Sequence, residues 1–319
     1  MATHNNGGIV IAQVERVVKA GTLPSKEVKI PGYLVDAIVE VPGQPQLYGV
    51  PTSGFVSGRY IQDFSEDRTV IPLNERKVIA RRALMEVEPG YIGNVGVGIC
   101  DGIGVVAKEE GVSDEFTLTV ETGIIGGVSA QGIYFGASVN ARAVVDMPAQ
   151  FDFYDGGGLD ISFLSFAEFD RDGNINVHKF NGKIMGTGGF VDICQNSKKA
   201  IFAGTLKAGG LKESVEGGTI RIRQEEVYQA VEKVPEITFN GRECCSERPR
   251  SGNYHGAGRV PPGGAGGCAY EIAPGMDLEQ DIIDQMAFRP IISENLKEMD
   301  HRLFQEEAMG LRRTQFHLE

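Results

Sequence analysis

The carboxylate in the most suggestive setting is Glu121. In TVETGIIGG (119–127) a β-rich run delivers it to a strand end, and a glycine turn follows at once. One reading is a solvated strand-end glutamate. The other is chemical: a carboxylate at the end of a parallel strand, beside backbone free to approach a ligand, is placed to act as a base or a nucleophile. A second feature is IMGTGGFVD (184–192), where small residues in succession either make a tight turn or expose N–H groups able to hold an oxyanion.

Other patterns fail on spacing. NVGVGICDGIG (94–104) places its glycines at 96, 98, 102 and 104, which is not the fingerprint of a dinucleotide site. DRDGN (170–174) follows a calcium loop for three positions, but Gly173 comes too early and Asn181 stands where the closing glutamate belongs. It reads as a hairpin turn. The histidines at 4, 178, 255, 301 and 317 sit singly, so no metal site is expected. No GxSxG elbow supports a serine nucleophile.

The elements that must position these residues alternate in type. Residues 9–18 and 28–41 are β-rich, and 42–72 read as a connection. Residues 74–87 carry apolar side chains at helical spacing behind Asn74, a natural N-cap. Apolar β-runs separated by glycine turns follow at 94–99, 116–120, 124–128, 143–147, 161–169 and 200–206. Runs with so little polar alternation predict strands covered on both faces, hence an α/β layered domain. Residues 276–308 read as two short acidic helices divided by Pro290.

Composition excludes several classes. With 31 Lys+Arg against 43 Asp+Glu, a formal charge of −12 argues against a counterion-displacing nucleic-acid binder. The 43 glycines are nearly twice the roughly 7% of an average chain, so backbone must bend or approach a ligand closely at many places. Five cysteines without paired spacing suit a reducing cytoplasm, and no apolar run is long enough for a membrane span.

Taken together, GGIVIAQVERVV (7–18), VKIPGYLVD (28–36), NVGVGICDGIG, TVETGIIGG, residues 151–182 and IMGTGGFVDICQNSKKAIFAGT (184–205) resemble the family I coenzyme A transferases, most nearly the propionate/acetate type. The resemblance implies an α/β/α layered domain with a mostly parallel sheet, spanning 74–304, behind a β-rich remnant of a first domain at 1–50, a linker at 51–73 and before a tail at 305–319. It implies that Glu121 is the nucleophile of a ping-pong transfer of CoA between a short-chain acyl-CoA and a free acid. Gly188 and Gly189 match the glycine loop that supplies an oxyanion N–H. Asn94, Gly96 and Gly98 match a loop lining the CoA pocket, and Lys207, with Lys198 and Lys199, is a candidate for the CoA phosphates. CoA is then substrate and covalent intermediate, with no resident cofactor. The implied partners are acyl-CoA, short-chain carboxylates, the missing first half and further copies of the chain in a homo-oligomer.

Three departures matter. Most of the family's first half is absent. Cys100 stands where the family has proline, and a buried structural thiol is the simple explanation. Residues 243–268 (ECCSERPRSGNYHGAGRVPPGGAGGC) abruptly lose β-pattern. They are expected to be translated in a shifted frame, since codons for Tyr254 to Ala265 can be chosen so that dropping one base gives a strand with a charged end; a genuine loop is the alternative. The local fold should then be irregular. A CoA-binding chain without turnover and an acyl-CoA hydrolase are the competing readings of function.

Overall fold

The chain is described by a computed structural model except at residues 45–52, 64–69, 209–212, 217–218, 223–226, 242–251, 256–257, 261–267 and 312–319. It divides into two units, Met1–Gly54 and Phe55–Glu319. The first contains a parallel pair, β1 (Ile11–Val14) and β2 (Ala37–Glu40), with Ile11 opposite Ala37. Asp36 fixes that register by accepting the Val10 N–H at 2.8 Å.

The second unit is built on a ten-stranded sheet. Its centre is parallel: β3 (Ile92–Val95) lies between β4 (Thr117–Val120) and β7 (Ile161–Ser165), and β8 (Ala200–Ala203) pairs with β7. Beyond β4 come the antiparallel β5 (Ile124–Ile125) and β6 (Ala143–Val144). Beyond β8 come β9 (Gly252–His255), β10 (Gly258–Val260), β11 (Cys268–Ile272) and β12 (Ile291–Glu298).

Helices cover both faces, as apolar strand runs require. Helix α1 (Glu75–Leu84) and α2 (Ile103–Glu109) bury Ile79, Ala83, Ile103 and Val106 against Ile161, Phe163 and Ile201. The expected cap is present, with Asn74 Oδ1 accepting the Lys77 N–H at 3.0 Å. On the other face α3 (Met147–Asp155) and α4 (Phe190–Gln195) pack Tyr154, Phe190 and Ile193 on Leu164, Ala200 and Phe202. Strand alternation divides β7 and β8 between the two cores.

Several local expectations resolve in detail. Residues 168–176 are a hairpin, with the Asp170 carboxylate taking the N–H groups of Asp172 and Asn174 and Gly173 at φ +77°. The second acidic helix expected after Pro290 is strand β12 instead, because parallel pairing with β11 overrides local preference. Its partner Leu278–Gln285 does coil, as a π turn followed by a 3-10 turn. Of the stretch read as a connection, the part from Phe55 on belongs to the second unit, where the Gln62 N–H donates to Asn140 Oδ1 at 2.8 Å and the Ile71 N–H to Glu109. Much of the segment 243–268 lies outside the described residues, as do 45–52 and 64–69 of the connection and 312–319 of the tail. Where 243–268 is described, its backbone forms β9, β10 and the start of β11, so those parts are regular.

Candidate active site

All four central strands point their carboxyl ends to one edge of the sheet, and chain order switches there. The chain passes from β3 to β4 on one side and then returns to β7 on the other side of β3. Ligand crevices in open α/β sheets form at such a switch. Glu121 is the first residue beyond β4 at this edge. The turn behind it is held by the Gly123 N–H donating to Val120 O at 3.0 Å, and a side chain at Gly123, with φ +103°, would strike Val145 O.

Gly189 lies directly against the glutamate. A Cβ at that position would collide with Glu121 Oε2 and come within 2.8 Å of Phe151 Cζ, so any larger residue requires those side chains to move. Gly188 holds φ +51°, and no acceptor among the described residues takes the N–H of Gly188 or Gly189. Glu121 and Gly189, two expected site residues 68 positions apart in the chain, are thus brought together. Burial, and after it the like charge of Asp192 in the first turn of α4, push the Glu121 carboxyl above its ordinary value. A more basic carboxylate is a stronger nucleophile.

Gly96 and Gly98 border the same edge. Gly96 donates its N–H to Phe163 O at 2.8 Å, and a Cβ there would meet that oxygen at 3.0 Å. Gly98 has φ +103° and its neighbour Val97 is exposed, with Ser165 Oγ donating to Val97 O at 3.1 Å. Asn94 is placed differently from a pocket-lining residue. It belongs to β3, is fully buried, and donates through Nδ2 to the Tyr154 hydroxyl at 3.1 Å. Cys100 is buried, and burial pushes its thiol up to about 12, which suits a packing role.

The lysines separate by location. Lys198 and Lys199 precede β8, at the opposite edge of the parallel sheet from Glu121. Lys198 pairs with Asp160 at 2.7 Å and Lys199 pairs with Glu86, so neither belongs to the Glu121 edge. Lys207 follows β8 at the carboxyl edge, and its side chain lies outside the described residues.

Sequence reasoning gave no role to Phe151, Tyr154, Gln150, Thr119 or Asp192. The available signal was Gln150 and Tyr154 at i,i+4 spacing, which one helix face brings together.

No family model matches the chain. Individual relatives do. Acetate CoA-transferase YdiF of Escherichia coli K12 is 56% identical over 312 residues, covering 97% of this chain and 58% of the relative. Family membership follows from this match. The chain belongs to the family I CoA-transferases. Caffeate CoA-transferase of Acetobacterium woodii is 39% identical over 327 residues, covering 97% of this chain and 60% of its own length. The acyl-CoA transferase YdiF of Escherichia coli O157:H7, solved as a thioester complex with CoA, is 53% identical with a TM-score of 0.86, over 98% of this chain and 58% of that one. The chain therefore spans rather more than half the length of these relatives. Their fold has the layered α/β architecture seen here. Among the described residues, no helix is long and apolar enough to cross a membrane.

Proposed function

We propose that the protein transfers CoA between a short-chain acyl-CoA and a free carboxylic acid through a thioester on Glu121. The observation that carries this reading is the Glu121 carboxylate at the carboxyl edge of the sheet, touching Gly189 and held above its ordinary basicity. Its carboxylate attacks the acyl-CoA carbonyl and CoA leaves as thiolate, giving a mixed anhydride. The thiolate then attacks the glutamyl carbonyl; the first acid leaves as carboxylate and a glutamyl-CoA thioester remains. The acceptor carboxylate reverses both steps. Glutamate suits this exchange because its carboxyl group is both nucleophile and leaving group, while one thioester replaces another.

Gly188 and Gly189 N–H groups hold the oxyanion of each tetrahedral intermediate. Gly96 and Gly98 admit the CoA chain, Asn94 supports them from the core, and Lys207 meets the CoA phosphates. CoA is substrate and covalent intermediate rather than a resident cofactor. The part of the relatives' length that this chain does not span completes the acyl site, in a homo-oligomer acting in the cytoplasm. CoA binding without turnover is the competing reading.

The test is to incubate the chain with acetyl-CoA, reduce with borohydride and map peptides by mass. A glutamyl thioester becomes an alcohol at Glu121, and Glu121→Ala abolishes both adduct and transfer. Transfer retained by Glu121→Ala removes this residue from the mechanism. An unmodified peptide supports the binding-only reading, and CoA release without an acceptor acid supports hydrolysis.

A further inference from the structure

A row of polar side chains crosses the core directly behind Glu121. Thr119, Asn94 and Ser162 are register neighbours on β4, β3 and β7, so all three face α3. Thr119 is 2% exposed, and Asn94 and Ser162 are fully buried. The core packed on this face is otherwise built from apolar side chains such as Leu164, Phe190 and Phe202. Burying polar groups there costs stability unless they are bonded, and this row is only partly satisfied. Asn94 Oδ1 and Ser162 Oγ have no partner among the described residues.

Tyr154 organises the satisfied part. Its hydroxyl receives Gln150 Nε2 at 2.8 Å and Asn94 Nδ2 at 3.1 Å. With both of those groups donating, its own proton goes to Thr119 Oγ1 at 2.8 Å, and Thr119 in turn donates to Gly93 O at 2.9 Å. Every bond in this chain has one direction. Thr119 lies two residues before Glu121 on the same strand, and the Tyr154 ring packs edge-on against Phe151, which itself borders Gly189 and the glutamate.

We propose that Tyr154 is a positioning residue for Glu121: its hydroxyl ties the end of β4 to β3 and α3, so the carboxylate is held against Gly189. The proposal rests on Glu121 as the nucleophile. Apolar replacement of the row would serve the core better, so its retention beside the reacting group is explained by geometry, since small misplacements of a reacting atom are costly in rate.

The experiment compares the full chain with Tyr154→Phe. Glutamyl-adduct formation from acetyl-CoA should slow about tenfold at an unchanged half-saturating concentration, with faster deuterium uptake confined to the peptide covering 119–127. Thr119→Val should reproduce the loss and Thr119→Ser restore the rate. An unchanged adduct rate in Tyr154→Phe, or uptake rising evenly through the chain, overturns the proposal. If the wild-type chain forms no adduct at Glu121, the nucleophile reading fails by itself. Deuterium uptake then decides the tie: a local rise at 119–127 upholds it, and no change overturns it.

Discussion

Glu86 and Glu121 are both shielded glutamates, yet their surroundings push them in opposite directions. Glu86 loses hydration too, but Lys199 and Arg82 outweigh that loss and hold its carboxyl down at about 2. It belongs to a belt of charge around α1: Lys77 pairs with Glu109 at 2.9 Å, Arg82 with Glu271 at 2.8 Å, and Arg81 with the fully buried Glu110 at 3.6 Å. Around Glu121 the charged neighbour that acts is another carboxylate, Asp192. Where charge supports the fold, each sign meets its opposite. At the candidate nucleophile the fold instead tolerates an unfavourable carboxylate, which on the proposed mechanism exchanges stability for reactivity.

Three substitutions probe this contrast. The largest effect is expected in the belt. Arg81 donates to the carbonyls of Gln305 at 2.6 Å and Glu307 at 2.7 Å as well as meeting Glu110. Arg81→Met removes the ion pair of the buried Glu110, leaving its carboxylate only the N–H groups of Met309 and Gly310 and the more distant charge of Arg302, and should cost about 3–5 kcal/mol, read from the urea midpoint. An unchanged midpoint would remove the belt from the account of stability.

Next is Gly189→Ala, whose new methyl must displace either Glu121 or Phe151. Adduct formation should fall about 100-fold with little change in the urea midpoint. A wild-type rate would show that the two residues need not touch.

The smallest is Asp192→Asn. In the proposed mechanism Glu121 reacts as the carboxylate, so the rate falls with pH as it is protonated. Removing the Asp192 charge lowers its folded pKa and moves that acid limb to lower pH, with a several-fold slower plateau because the carboxylate is less basic. The stability sign is opposite to that of Glu86. A raised folded pKa contributes stability below the ordinary glutamate value that is lost as pH rises through it, so Asp192→Asn should raise the melting temperature at neutral pH and leave it unchanged in acid. An unmoved acid limb would break the comparison.

Sequence pattern singled out Glu121 as a strand-end carboxylate because strand, carboxylate and glycine turn are contiguous, while its nucleophilic role came from the family resemblance. Asn74 and the Asp170 turn were legible for the same reason, being local hydrogen-bond chemistry. Strand β12 was not: its identity comes from pairing with residues of β11 that lie 23 to 26 positions earlier in the chain. Helices α2, α3 and α4 were hidden inside glycine-rich or aromatic runs whose helical period is short. The polar row depends on register between three strands, a relation that no single segment contains. The assignment of Lys198 and Lys199 to phosphate could be judged only once the strand direction placed them at the far edge.

The Arg81 clasp also sets a clock. Its acceptors on Arg302, Leu303, Gln305 and Glu307 lie 221 to 226 residues downstream. At about 5–20 residues per second, roughly 10–45 s of translation separate the emergence of this guanidinium from that of the carbonyls that receive it. Until then a charged helix destined for the interior is without its lid, and the growing chain is a client for whatever shields nascent proteins at the ribosome.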